Sequence, residues 1–138
     1  MQVRLLVTAA CLLLFSSPSP AGPPAAIPED DIQQRTLGSF RSFATGWMEK
    51  MERVETRNQA RPRIRPHGSQ TLVTYKGYGT DFEIEVKHTG YAPAPFVGVL
   101  RYSEQLYTCA DTRATRCRIA STLPVTEIFR FQNGRWIY

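Results

Sequence analysis

His88 and Glu127 are the side chains whose pattern best suits acid–base chemistry. His88 ends the run Phe82, Ile84, Val86, His88, which alternates with Glu83, Glu85 and Lys87 and so predicts a strand with one face buried and one wet. That parity puts the imidazole on the apolar, concave face, and its ordinary pKa near neutrality suits a general base at a pocket mouth. The competing reading is a half-solvated ring at the strand's rim, because Thr89-Gly90 follow directly. Glu127 shares parity with Val125, Phe129 and Phe131. A carboxylate in such company is either paired, with an arginine of an adjacent strand, or functional. No nucleophile elbow, zinc-protease helix or phosphate loop accompanies them, and Gly77-Tyr78-Gly79 lacks the third glycine and following helix of a dinucleotide site. The two histidines, His67 and His88, have no carboxylates at ligand spacing, so neither a metal nor a cofactor is expected.

Cys109 and Cys117 are the next candidates. Seven residues separate them, which is not the spacing of a redox motif or a zinc knuckle. Cys11 falls within an N-terminal apolar run and leaves with it if that run is removed, so an even pair remains. In an oxidising compartment such a pair predicts a disulfide stapling a hairpin, worth about 2 to 3 kcal/mol for so short a loop.

Arg57, Arg61, Arg63 and Arg65 occur with no acid between them, interrupted by Pro62 and Pro66 and followed by His67-Gly68. Two prolines exclude a continuing helix, which predicts an exposed connection over 57–68. Arg61, Arg63 and Arg65 then form a candidate patch for phospholipid headgroups or acidic envelope polysaccharide, whose phosphates and carboxylates match the planar guanidinium fork. Tyr75, Tyr78 and Tyr91 are possible stacking platforms for sugar rings. The plainer reading is a solvated loop. Net charge is +5, from 17 basic and 12 acidic residues dispersed along the chain, so nucleic acid is not the expected partner.

The elements that must position these groups fit one domain, since 138 residues can bury a single core. Residues 1–21 read as a signal peptide: Arg4, an uncharged apolar run over 5–15, then small residues and prolines, with cleavage expected after Ala21 and Ala25 or Ala26 as rivals. Lipidation at Cys11 is the weaker alternative, because the apolar run continues past it. The run is too short for a transmembrane anchor. Residues 22–28 form a Pro/Ala-rich leader, and 29–138 the folded domain. Leu37, Phe40, Ala44, Trp47, Met51 and Val54, widened by Phe43 and Met48, recur at helical steps and predict one amphipathic helix over about 29–56. Glu29, Asp30 and Asp31 suit its N-terminus.

Strands are expected over 71–78, with a turn at Gly77-Tyr78-Gly79-Thr80, then over 82–88, 96–109 and 117–123. Pro124 is expected to mark a bulge or an edge. Strands 125–132 and 135–138 flank Asn133-Gly134, a strong hairpin signal, which would set Phe131 against Trp136 and Phe129 against Tyr138.

The fold class is therefore α+β: a long N-terminal helix packed on a curved antiparallel meander of about four to six strands. In outline, and in the closing hairpin Thr126-Glu127-Ile128-Phe129-Arg130-Phe131-Gln132-Asn133-Gly134-Arg135-Trp136, the chain resembles the cystatin-like and nuclear-transport-factor-2-like superfamily. The resemblance implies a sheet curled around the helix. It also implies, for the superfamily's conical enzymes, further helices closing a pocket, and no segment here supplies them. The function expected is a secreted or periplasmic, non-enzymatic binding or accessory domain meeting a protein or cell-envelope component. A small isomerase- or dehydratase-type enzyme using His88 or Glu127, and an anionic-surface binder using the arginines, are the alternatives.

Overall fold

A computed structural model describes residues 29–138, so the expected signal peptide, its cleavage after Ala21 and the leader lie outside the described residues. The chain runs α1 (Glu29–Ala60), β1 (Arg63–His67), β2 (Gln70–Tyr78), β3 (Glu83–His88), β4 (Phe96–Cys109), β5 (Cys117–Gln132) and β6 (Arg135–Ile137). All strand pairs are antiparallel, in the order β1-β2-β4-β5-β6, with β3 also on β4. The sheet curls as a half-barrel against the helix.

The helix has 32 residues, about 48 Å at 1.5 Å per residue. It carries acids in its first turn and Arg57 in its last, both matched to the macrodipole. It outlasts the expected end at Thr56 because Asn58, Gln59 and Ala60 tolerate helix, and it stops where Arg61 precedes Pro62 and is biased toward extended backbone. The segment 57–68 is thus not a loop. Its first part is helix, and Arg63–His67 is an edge strand paired with β2, Arg63 opposite Thr74 and His67 opposite Gln70. Proline bars a central strand but not an edge, and the two-residue link Gly68-Ser69, with Gly68 at φ 61°, makes the hairpin.

A second correction concerns the expected turn at Gly77-Tyr78-Gly79-Thr80, whose first two residues still belong to β2. β2 and β3 do not form a hairpin; they follow one another along the same side of β4. Tyr78 lies opposite Glu104 and Glu83 opposite Arg101, so four residues between the first pair of positions face two between the second. The excess bulges out at Gly79, whose N–H still donates to the Ser103 carbonyl at 2.8 Å. Across this break the row of β4 that meets the helix changes parity: Leu100 and Tyr102 on one side, Gln105 and Tyr107 on the other.

Two cores result. Phe40, Leu100 and Phe129 are fully buried at the centre of the larger one. Phe40 lies flat on Gly98, where any Cβ would collide with the ring, and packs on Trp136 at a centroid distance of 4.6 Å. Phe43 and Trp47 meet Phe129 edge-on at 4.8 and 4.9 Å. Asn133 and Gly134, both at positive φ, turn β5 into β6 and bring Phe131 to 4.9 Å from Trp136 and Phe129 to 5.6 Å from Tyr138, the two expected pairs. The smaller core holds Val73, Tyr75, Cys109 and Ala114. Cys109 and Cys117 face each other across β4 and β5 with their sulfurs 2.03 Å apart, at disulfide distance.

β5 is bordered by β6 only from Arg130 onward, so among the described residues its outer edge is unpaired before that point. Because the Ser103 carbonyl points toward Gly79, Ser103 turns its backbone away from β5, and Pro124 opposite it turns its nitrogen to the free edge. The proline therefore marks an edge, one of its two expected roles. The register shift of this pair lies elsewhere, at Leu106/Tyr107.

Candidate functional site

A hollow of about 650 Å³ opens between the C-terminal half of α1 and the sheet, beside the break between β2 and β3. The helix contributes Glu49, Glu52 and Glu55, which three-residue spacing sets along one side. Tyr78, Phe82, Gln105 and Tyr107 form the opposite wall. Parity explains the space. Where β4 exchanges one inward row for the other, and β2 yields to a bulge, no continuous row of side chains reaches the helix.

At Gly77 the β2 backbone passes close to a helix side chain. A Cβ there would stand 2.7 Å from the Glu55 carboxylate carbon and from the Tyr107 ring. The room left by glycine lets Glu55 Oε2 accept the Tyr78 N–H at 2.8 Å, so this carboxylate is fixed while its neighbours face solvent. Asn58 donates to the Lys76 carbonyl at 2.9 Å and Gln59 to the Ala114 carbonyl at 3.0 Å, tying the last helical turns to the sheet and to the disulfide hairpin. Tyr107 Oη donates to Gln105 Oε1 at 2.8 Å and stacks on Tyr75, the planes within 4°. Burial, then the charge of Glu55, raises the Tyr107 phenol; burial, then Glu104, raises that of Tyr78. Both stay protonated at neutral pH as hydrogen-bond donors beside carboxylate acceptors.

No protein-family model, curated protein or solved structure matches this chain. The residues themselves therefore carry the functional argument. His88 does not line the groove. It sits exposed at the far rim, edge-on to Phe96 at 5.3 Å, over a hollow of about 250 Å³ shared with Glu29, Ile32 and Gln33. Phe82, Ile84 and Val86 do pack inward, as the alternation predicts; the strand reaches the rim one step later. Glu127 is half-buried on the inward face, and its partner is a phenol rather than an arginine: Tyr102 Oη donates to it at 3.3 Å. Burial pushes the Tyr102 phenol up to about 12. The Trp47 N–H, which makes no hydrogen bond of good geometry, draws it down, and Glu127 adds to the rise. Glu127 also holds Tyr138 above its ordinary value by hydrogen bonding and charge.

The two acid–base candidates thus lie apart from each other and from the main groove. Among the described residues no three His, Cys, Asp or Glu side chains converge as metal ligands, and no helix is long and apolar enough to cross a membrane. Arg61, Arg63 and Arg65 come together on a different, smaller groove on β1 and β2. Sequence reasoning missed the acidic groove because glutamates at three-residue steps on a long helix read as its solvated face. Gly77 was the available signal, a glycine inside a strand that marks close backbone approach.

Proposed function

We propose that this chain is an exported binding domain whose helix–sheet groove takes a cationic, donor-rich partner, such as a lysine- or arginine-bearing segment of a protein. One observation carries the reading: the helix–sheet hollow of about 650 Å³ is open, walled by Glu49, Glu52 and Glu55 against tyrosine and glutamine, and the histidine and glutamate that would serve an enzyme stand outside it. Three carboxylates facing phenols and aromatic edges suit an ammonium or guanidinium, through charge, hydrogen bonds and ring faces together. Export is supported by the pattern of residues 1–21 and by the cysteine pair at bonding distance. The long helix on a curled sheet supports the cystatin-like reading at the level of topology.

The test is an NMR titration of the folded domain with trilysine and, as a control, triglutamate. Trilysine should shift resonances of Glu52, Glu55, Tyr78 and Tyr107, and the double variant Glu52→Gln/Glu55→Gln should abolish those shifts with the fold intact. His88→Ala and Glu127→Gln should bind as the parent does. Shifts centred on His88 or Glu127 instead, or equal binding of triglutamate, would overturn the reading.

A further inference from the structure

We propose that the second groove, on the outer face of β1 and β2, binds a linear acidic polysaccharide through Arg61, Arg63 and Arg65. This inference is independent of the helix–sheet groove. It begins with the finding that 63–67 is a strand. Alternation then sends Arg63 and Arg65 to one face and Ile64 to the other, and the two guanidinium groups leave the backbone about 7 Å apart along a straight line. The pairing places Thr74 opposite Arg63 and Leu72 opposite Arg65. Arg61, just beyond the helix, turns into the same space, and the three arginines with Lys76 edge a groove of about 290 Å³ whose floor includes Leu72 and Leu106.

No acid lines this groove. Beside it on β2, β3 and β4 several charges are paired: Glu85 takes both Arg101 at 3.1 Å and Lys87 at 3.3 Å, and Lys76 itself is held by Glu104 at 2.8 Å. Among the described residues Arg61, Arg63 and Arg65 have no such partner, so three like charges converge with nothing opposite them. Neighbouring like charges on a sheet cost stability, and an external anion relieves that cost.

The shape selects the anion. A row of exposed forks along an edge strand, beside an apolar floor, matches a chain that carries carboxylates at intervals and presents C–H faces between them. Two forks in line about 7 Å apart, with Leu72 and Leu106 beside them, suit a linear chain better than the flat face of a bilayer. Each guanidinium can take a carboxylate with two parallel hydrogen bonds.

The experiment measures binding of hexagalacturonate to the folded domain by calorimetry at low salt and at 0.5 M NaCl, with maltohexaose and phosphatidylglycerol vesicles as comparators. Hexagalacturonate should bind, maltohexaose should not, and salt should weaken the complex as exposed charges are screened. The variant Arg61→Gln/Arg63→Gln/Arg65→Gln should lose affinity about tenfold or more. A variant with the same loss of charge elsewhere, Arg113→Gln/Arg130→Gln/Arg135→Gln, should bind as the parent does. Thermal melts verify folding, and should the triple variant melt early, Arg63→Gln and Arg65→Gln singly serve instead. Absence of hexagalacturonate binding, binding only to the vesicles, or equal losses in the two triple variants would overturn the proposal.

Discussion

The two ends of the sheet are held to the helix by different means. Near the helix N-terminus the contact is aromatic and close-packed: Phe40 against Gly98 and Trp136, Phe43 and Trp47 against Phe129, and the Trp136 indole N–H donating to Ser39 Oγ at 3.2 Å. Near the C-terminus the contact is thin and polar, carried by Glu55, Asn58 and Gln59, with a small core stapled by cysteines beneath it. The difference shows where each end gets its strength. Apolar area supplies the first, and chain connectivity with directed hydrogen bonds supplies the second, which leaves room there for an open groove.

Truncation at the packed end should cost most. Phe40→Ala removes a wholly buried ring from between Gly98 and Trp136, and a loss of about 3 to 5 kcal/mol is expected in urea unfolding. A loss smaller than that of the cysteine variant would reverse the comparison. Replacing Cys109 and Cys117 together by serine should cost about 2 to 3 kcal/mol, since only a short loop is released, and should leave trilysine binding intact well below the melting temperature. Quantitative thiol labelling of the folded parent would show instead that no staple exists.

Gly77→Ala tests the polar contact directly. A methyl group there displaces the Glu55 carboxylate or Tyr107, leaving the Tyr78 N–H without its acceptor, for about 1 to 2 kcal/mol. An unchanged melting temperature and trilysine affinity would mean that the groove does not depend on this approach. The smallest effects are in pH. Tyr102, raised from 10.0 to about 12, keeps its proton longer in the folded state, so stability is full below pH 10 and declines between pH 10 and 12; Tyr102→Phe should flatten that limb. Asp111 is held below its ordinary 3.8 chiefly by the backbone N–H of Thr115, with Arg116 and Arg113 adding theirs. Its contribution is present above that value and lost as pH falls through the depressed one. Asp111→Asn should make acid unfolding of the disulfide hairpin less steep.

The packed end was largely legible in the sequence, because its signals are periodic: the helical stripe around Phe40, the alternation from Phe82 to Val86, and Asn133-Gly134 between aromatic residues. The thin end was not. Arginine and proline in β1 have poor strand propensity, and their pairing rests on a Gly-Ser turn and on an edge position that local composition does not reveal. The in-line arrangement of β2 and β3 was hidden because a glycine-rich break reads the same whether the chain reverses or continues along one neighbour. Parity sets His88 and Glu127 on the inward face, where they lie, but it gives no depth, and depth separates a rim residue from a pocket residue. The acidic groove depends on a change of inward row across two strands, a tertiary property with no local signature.

Pro124 has a consequence for how many copies of this protein behave in concentrated solution. The outer edge of β5 presents open carbonyls beside exposed Leu123 and Ile128, both 58% accessible, in the manner of a template for a further strand. A proline at its middle removes one donor from the edge-facing row and sets a ring where an incoming backbone would lie. Pro124→Val returns the donor and clears the ring, and turns a blunted margin into a seam along which chains can polymerise. Light scattering at increasing concentration should show that variant assembling while the parent remains dispersed.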